Sequence, residues 1–479
     1  MYRKNAIIVV IFCLLAILLR FFSFFPSVID HDESTYLEIA RMLIHGKTLY
    51  VDMVDIKPPG IFLILAGLQF VFGYPIFVIR MLVSVWIGIT AFLIFLTGKA
   101  MMNDDRPAIA SGIIYIFFIS TWSFYGISIT PEIFFNLFTI AALLVIVKKK
   151  HVSKYLWAGL LAGIGFIVKY LVIFDFAVIV LFFIITEYRK NETKKFQKAF
   201  LSIIMAGFGF TLPFAVMNLW YVLNGHFNDL YNIVYLSPSR YPAAFDAWKM
   251  LKYILDFHLR FFPFFLLFYF VILKKYRGNN AISTVKTLSV LWSGAALIAV
   301  VLAGKTFGHY TIQLMLPVSL TAGIFFHPDM NLTPRLAWLT DRRTGMILLA
   351  LLVLAVTMMK LEYVFRKDVP REVAAYLEPR LRKNDVIYTG NYHHIIYYLL
   401  GKDSPTKYVH RTLLTGENHI KALDIDVDKE FRHIMDQRPA YILVYKDYGE
   451  GMMKDFIRKN YFLEKVFDNE VFLYRRKGI

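Results

Sequence analysis

Cysteine is almost missing: Cys13 is the only one in 479 residues, and it lies inside the first apolar run. That excludes a disulfide framework and a thiolate metal site. Charge is scarce as well. Charged residues make up 18% of the chain, where a soluble domain carries about a quarter. The sequence shows no internal repeat or low-complexity linker, and its tail at 361–479 has no Gly-rich phosphate fingerprint. No His/Asp group has metal-ligand spacing, so no cofactor is expected; a divalent cation is compatible with the chain but not indicated by it.

What is abundant is hydrophobic surface, at 58% of residues. Apolar runs long enough to enter ~30 Å of hydrocarbon recur from Ile7 to Met358. One soluble core cannot bury that many apolar faces, so lipid must solvate them. The net charge of +18 invites a nucleic-acid partner, but its placement argues against one. Basic residues cluster in short connections between apolar runs: Lys148-Lys149-Lys150, Arg189-Lys190 with Lys194-Lys195, Lys274-Lys275, Arg342-Arg343. Positive-inside anchoring distributes charge in this way. Met1-Tyr2-Arg3-Lys4 and the run after it look like a signal peptide, but the run is too long and no small-x-small site follows. A retained anchor helix is expected.

Twelve apolar runs fall near 5–25, 60–73, 76–98, 107–125, 133–147, 155–168, 171–187, 199–223, 254–273, 287–303, 310–326 and 345–360. If all twelve span, the basic connections at 148–154 and 189–198 fall outside, against the positive-inside rule. Leaving out the short run at 60–73, which begins after Pro58-Pro59, puts every later basic connection inside. The expectation is therefore about eleven transmembrane helices, with residues 26–75 forming one long first outer loop. The outside also receives 128–132, 224–249, 304–309 and everything after Lys360. Residues 1–360 then form a transmembrane domain and 361–479 a water-soluble α/β domain. In that tail, strands at 385–388 and 441–445 alternate with helix-like stretches at 371–381, 429–437 and 452–459.

Chemistry is expected in the outer loops. Asp30, His31, Asp32 and Glu33 follow the first helix. An amphipathic stretch comes next, with Tyr36, Ile39, Ala40, Leu43 and Ile44 on one face and Glu38, Arg41 and His45 elsewhere, as for a helix in the membrane interface. Tyr50, Asp52, Asp55 and Lys57-Pro58-Pro59 follow. Carboxylates at a water–lipid boundary are costly unless paired or used, although Asp32 and Glu33 could simply begin a helix and favour its dipole. Glu132, after Thr130-Pro131, allows the same two readings. Lys305, His309 and Tyr310 precede a later span. The loop from Asn224 carries Tyr231, Tyr235, Ser237, Arg240 and Tyr241, which fits a sugar or phosphate site and equally an aromatic belt.

Taken in order, Asp32-Glu33-Ser34-Thr35-Tyr36, Glu38-Ile39-Ala40, Gly46, Tyr50, Lys57-Pro58-Pro59-Gly60 and Arg80 resemble the first periplasmic loop of the bacterial relatives of protein O-mannosyltransferases and lipid A aminoarabinose transferases. Thr130-Pro131-Glu132, Lys169 after a Gly-rich helix, and His309-Tyr310 with Leu316-Pro317 are similar too. The resemblance implies a C-type glycosyltransferase fold in the bacterial inner membrane, mainly α. It implies that a sugar passes from a polyprenyl-phosphate carrier to a cell-envelope acceptor on the periplasmic side. It implies Asp32 as catalytic base, Lys57 facing the carrier phosphate, and Glu132 as a second carboxylate where the lipid A enzymes have Asp. Those enzymes also have Glu before the Lys-Pro motif; here it is Ile56, so any metal or phosphate role of that Glu is lost.

The chemistry agrees with this expectation. A hydroxyl acceptor needs a carboxylate to take its proton. The departing lipid phosphate needs a cation, which Lys57 or Arg240 would supply. Single displacement with inversion follows, with Glu33, Tyr36, His309 and Tyr310 as further site candidates. The rival class is a transporter or flippase of lipid-linked sugars, for which Asp175 and Asp256 would be the ionisable residues. A second rival is an O-antigen ligase or polymerase. The sugar and the acceptor (lipid, polysaccharide or protein) are not specified by these residues.

Overall fold

The structure is a computed structural model and describes residues 2–187, 195–240, 245–274, 280–330, 332, 337–446 and 452–478. Arg189, Lys190, Lys194, Tyr241 and Lys275 lie outside the described residues. The chain divides into two compact units, each discontinuous in sequence. The first comprises residues 1–25, 80–217 and 244–364; the second comprises 26–79, 218–243 and 365–479. The sequence suggested one boundary near 360. The contacts instead group residues 26–79 and 218–243 with the tail.

The first unit is helical. All eleven runs counted as spans fold as helices, but among the described residues only seven are long and apolar enough to cross a membrane by that measure, or eight with one bent pair. Lys154–Val168, Val172–Glu187 and Asp105–Thr121 are 15, 16 and 17 residues long. At 1.5 Å per residue they reach only about 22–26 Å. The run at 254–273 is not one straight span either. Ala247–Arg260 and Phe262–Leu273 meet at 93°, because Pro263 lacks an N–H and fits only the first turn of a new helix.

Two devices hold this unit together. The fully buried Arg20 guanidinium donates to the carbonyls of Ile119 at 3.0 Å, Gly126 at 2.5 Å and Ile127 at 2.7 Å, and to Ser84 Oγ at 3.2 Å. It thereby ties the end of the first helix to the turn at 122–130. Helix Lys154–Val168 lies directly against Lys195–Leu223: a Cβ on Gly163 would stand 2.3 Å from the Phe210 carbonyl oxygen, and one on Gly209 would stand 2.2 Å from that of Leu156. Only glycine permits backbones that close, the small-residue packing common in membranes.

The second unit contains helix His31–Ile44, helix Gly60–Phe72 and a four-stranded sheet. Gly60–Phe72 has 13 residues, about 20 Å, too short to cross ~30 Å of hydrocarbon. Strands β1 (Ile387–Tyr388), β2 (Tyr441–Tyr445), β3 (Tyr461–Phe467) and β4 (Val471–Arg476) lie in the order β1-β2-β4-β3. The β1–β2 pair is parallel and the others are antiparallel. Helices Val369–Leu377, Val427–Asp436 and Met452–Asn460 stand near the expected positions. The β3–β4 hairpin was not foreseen; its turn uses positive φ at Asp468 (50°) and Asn469 (55°), residue types that tolerate that region.

Candidate active site

In the second unit, Asp30 caps helix His31–Ile44 by accepting from the Asp32 amide at 3.3 Å. This leaves the Asp32 side chain for other partners. Its Oδ2 lies 3.4 Å from Lys57 Nζ and accepts from the Tyr36 hydroxyl at 3.3 Å. Its Oδ1 lies 3.4 Å from His410 Nε2. The Asp32 side chain keeps 29% of its exposure, whereas Glu33 is buried at 1%. A half-exposed carboxylate beside a cation and an imidazole can receive a proton from an entering hydroxyl.

Lys57 is built in from several sides. Asp55, buried at 3%, accepts from the Lys57 backbone N–H at 2.9 Å and from its Nζ at 3.4 Å. The ammonium stands 5.0 Å from the Tyr36 ring centroid. Tyr50 holds the Lys57 carbonyl through its hydroxyl at 2.8 Å, from a backbone with φ of 71°. A bulky residue in that region is strained and persists only where its surroundings over-determine it.

The tail supplies the residues the sequence reading missed. His31 stacks on His393 with centroids 4.6 Å apart and lies 6.4 Å from the ring of His410. His394 Nε2 lies 2.8 Å from Thr35 Oγ1 and 3.1 Å from the His31 carbonyl oxygen. Burial pushes His31 down to about 3, helped by neighbouring His393 and Arg411. Burial likewise lowers His393 to about 4, with Arg411 adding to it. Asp30 is pushed up to about 6 by burial and by the charge of Asp32. His31 and His393 are therefore neutral packing partners at neutral pH. A signal was available: four of the twelve histidines fall at 393, 394, 410 and 419.

Charged residues of helix His31–Ile44 that lie off its apolar face are buried by the tail. Glu38 and Arg41 are buried at 0% and 5% and are paired through 2.8 and 2.9 Å bonds. Arg41 also reaches Asp403 at 2.8 Å and the Lys402 carbonyl at 3.0 Å. The tail thus packs on this helix through Asp403 and the Lys402 carbonyl. Arg240 is exposed on the short helix Ser237–Arg240.

The first unit holds a separate constellation. Glu132, in the first turn of Pro131–Lys148, is fully buried and paired with Lys169. Among the described residues, its Oε2 has no hydrogen-bond partner. Lys169 Nζ stands 3.7 Å from the Tyr310 ring centroid, and His309 lies 4.9 Å from Tyr310. The two carboxylates that a transporter would use have local roles. Asp256 binds Arg260 at 2.6 Å and the Tyr125 hydroxyl at 2.9 Å; Asp175 accepts from the Trp292 indole at 2.7 Å. Among the described residues, no group of three or more His, Cys, Asp or Glu is placed to hold a metal ion.

A multi-pass helical membrane unit with a small α/β domain defines a membrane protein of the C-type glycosyltransferase fold. Residues 56–217 match the family described as dolichyl-phosphate-mannose-protein mannosyltransferase. That stretch includes Lys57, Glu132 and Lys169 and begins after Asp32. The fold is similar to that of ArnT from Cupriavidus metallidurans, in crystal structures bound to undecaprenyl phosphate and in the apo state. For each, the TM-score is 0.65 at 13% identity, with 97% of both chains covered. No curated protein matches the chain. The resemblance read from the sequence holds for the matched domain and for the fold.

Proposed function

We propose that this chain is an integral-membrane glycosyltransferase. It moves a sugar from a polyprenyl-phosphate carrier to a hydroxyl of a cell-envelope lipid, polysaccharide or protein. The observation that carries the reading is the Asp32 carboxylate, part-exposed and set between Lys57 and His410 at 3.4 Å each. The matched domain and an ArnT whose crystal structure holds undecaprenyl phosphate support the carrier class.

In this reading Asp32 takes the acceptor proton as the hydroxyl oxygen attacks the anomeric carbon. The bond to the carrier phosphate breaks on the opposite face, so the configuration inverts and no covalent enzyme intermediate forms. Lys57 neutralises the phosphate as it leaves. His410 acts through Asp32. The Thr412 amide donates to His410 Nδ1 at 3.2 Å, and the Thr412 hydroxyl lies 2.8 Å from the same nitrogen. Nδ1 is thus an acceptor, and the ring proton sits on Nε2, facing Asp32. A 3.4 Å separation is long for a hydrogen bond, but such contacts often tighten in the substrate complex. The loop 26–75 and the tail are assigned to the periplasmic side of the inner membrane.

The test is purified protein with a polyprenyl-phosphate sugar, following released polyprenyl phosphate. Asp32→Asn keeps the shape and removes the proton acceptor, so turnover should fall ~10²–10⁴-fold with donor binding retained. Turnover near the wild-type rate would remove Asp32 from the role. Movement of the lipid-linked sugar across the bilayer without release would make the protein a flippase.

A further inference from the structure

Within the first unit, the ends of several helices border an open pocket of about 970 Å³. It lies where Pro131–Lys148 ends and Lys154–Val168 begins, beside the last turn of Val172–Glu187 and the first turns of Lys195–Leu223 and Asn280–Leu302. Its volume is at the upper end of the range for small-molecule sites, roughly 300–1,000 Å³.

The lining has two characters. Lys149, Lys150, Lys154 and Lys198 contribute four positive charges, and Glu187 is the only carboxylate among the described lining residues. Glu187 is already engaged: one oxygen pairs with Lys154 and the other accepts from the Tyr155 hydroxyl at 2.9 Å. Lys154 is itself buried at 4%, so this pair forms a neutralised floor. Lys149, Lys150 and Lys198 are exposed, which leaves a cationic rim. The rest of the lining is mixed: Phe183 and Leu201 offer apolar surface, with Leu201 42% exposed, beside the polar His151, Thr186, Asn280 and Thr284.

Positive-inside anchoring accounts for lysines near this end of the helices. It does not account for their gathering around one pocket that also offers the apolar surface of Phe183 and Leu201 and whose described carboxylate is already paired. Basic pockets between membrane helices on the cytoplasmic side are suited to anionic headgroups. We propose that this cavity binds a phosphate group, supplied by the headgroup of an anionic phospholipid. Lys149, Lys150 and Lys198 surround the phosphate, and the first methylenes of an acyl chain lie against Phe183 and Leu201. The site is independent of the glycosyl-transfer reading, because none of its residues belongs to either constellation described above.

The test uses the full-length protein, delipidated in a neutral detergent. Its thermal unfolding is followed on titration with phosphatidylglycerol, phosphatidylcholine or inorganic phosphate. Phosphatidylglycerol should raise the midpoint and phosphatidylcholine should not. In the triple variant Lys149→Gln/Lys150→Gln/Lys198→Gln, the apparent affinity for phosphatidylglycerol should fall roughly tenfold or more. The midpoint of the variant without added lipid gives its own baseline, and the lipid-induced rise is read from that baseline. If inorganic phosphate stabilises the protein and displaces phosphatidylglycerol, the anion site stands and soluble phosphate can occupy it. Equal phosphatidylglycerol titrations for wild type and variant, or no preference over phosphatidylcholine with no response to phosphate, would overturn the proposal.

Discussion

His410 Nε2 faces Asp32 Oδ1 at 3.4 Å, from a ring whose other nitrogen is occupied by Thr412. A tail residue thereby reaches the carboxylate at the start of helix His31–Ile44. If His410 orients that carboxylate, His410→Phe should lower kcat about tenfold or more while donor affinity stays near wild type, because a hydrogen bond to a charged group is worth ~1.5–3 kcal/mol. The acidic limb of the pH–rate profile should also move to higher pH. His410→Gln places an amide N–H near the Nε2 position and should restore most of both. Equal kcat for Phe and Gln variants would reduce His410 to packing.

The buried imidazoles set a direction for stability against pH. His31 and His393 are held near 3 and 4, and His394 is also lowered, in each case mainly by burial. Once unfolded they regain an ordinary value near 6.5. The unfolded chain then binds more protons between about pH 6.5 and 4, so stability is lost as pH falls through that window. Asp30, raised to about 6, and Glu38, raised to about 7, both mainly by burial, act oppositely, but they are two groups against three. Thermal midpoints of the full chain should drop from pH 7.5 to pH 5. The drop should shrink in His31→Gln/His393→Gln. A midpoint that rises on acidification would contradict this account.

The helices and the outer-loop motif were legible because both are local signals. Apolar runs with basic connections mark helices, and Asp32, Lys57 and Glu132 stand in a recognisable order. What was not legible depends on distant contacts. Nothing near Arg41 announces that Asp403 and the Lys402 carbonyl will bury it. His393, His394 and His410 acquire meaning only when the tail packs on helix His31–Ile44. Strand β3 was missed because it is an edge strand: only its ends, Tyr461 and Phe467, are buried, and Glu464 and Lys465 between them break the alternation. The bend before Pro263 did have a local signal, the proline itself.

Lys57 is expected to act on the carrier phosphate. Lys57→Met keeps the stem over Tyr36 and removes the charge, while Asp55 still accepts the backbone N–H. Donor affinity should fall about tenfold or more, since one charge-assisted contact to phosphate is lost. Binding of a labelled polyprenyl-phosphate sugar measures it. Unchanged affinity together with a lowered unfolding midpoint would make Lys57 a structural clamp on Asp55.

Glu132 and Lys169 form a buried pair in the first unit, with the carboxylate fully enclosed and the Lys169 side chain 14% exposed. Removing the cation alone leaves an uncompensated buried charge, a loss of about 3–5 kcal/mol. An exposed pair would lose at most ~1 kcal/mol. Lys169→Met should therefore destabilise the protein strongly, and Glu132→Gln/Lys169→Met should recover most of the loss, because no bare carboxylate then remains. Chemical denaturation in detergent gives both values. The same two variants separate structure from catalysis: if the double variant regains stability and still fails to turn over, the Glu132–Lys169 pair serves the reaction as well as the fold. Equal destabilisation by the single and the double variant would mean that the buried charge is not what Lys169 compensates.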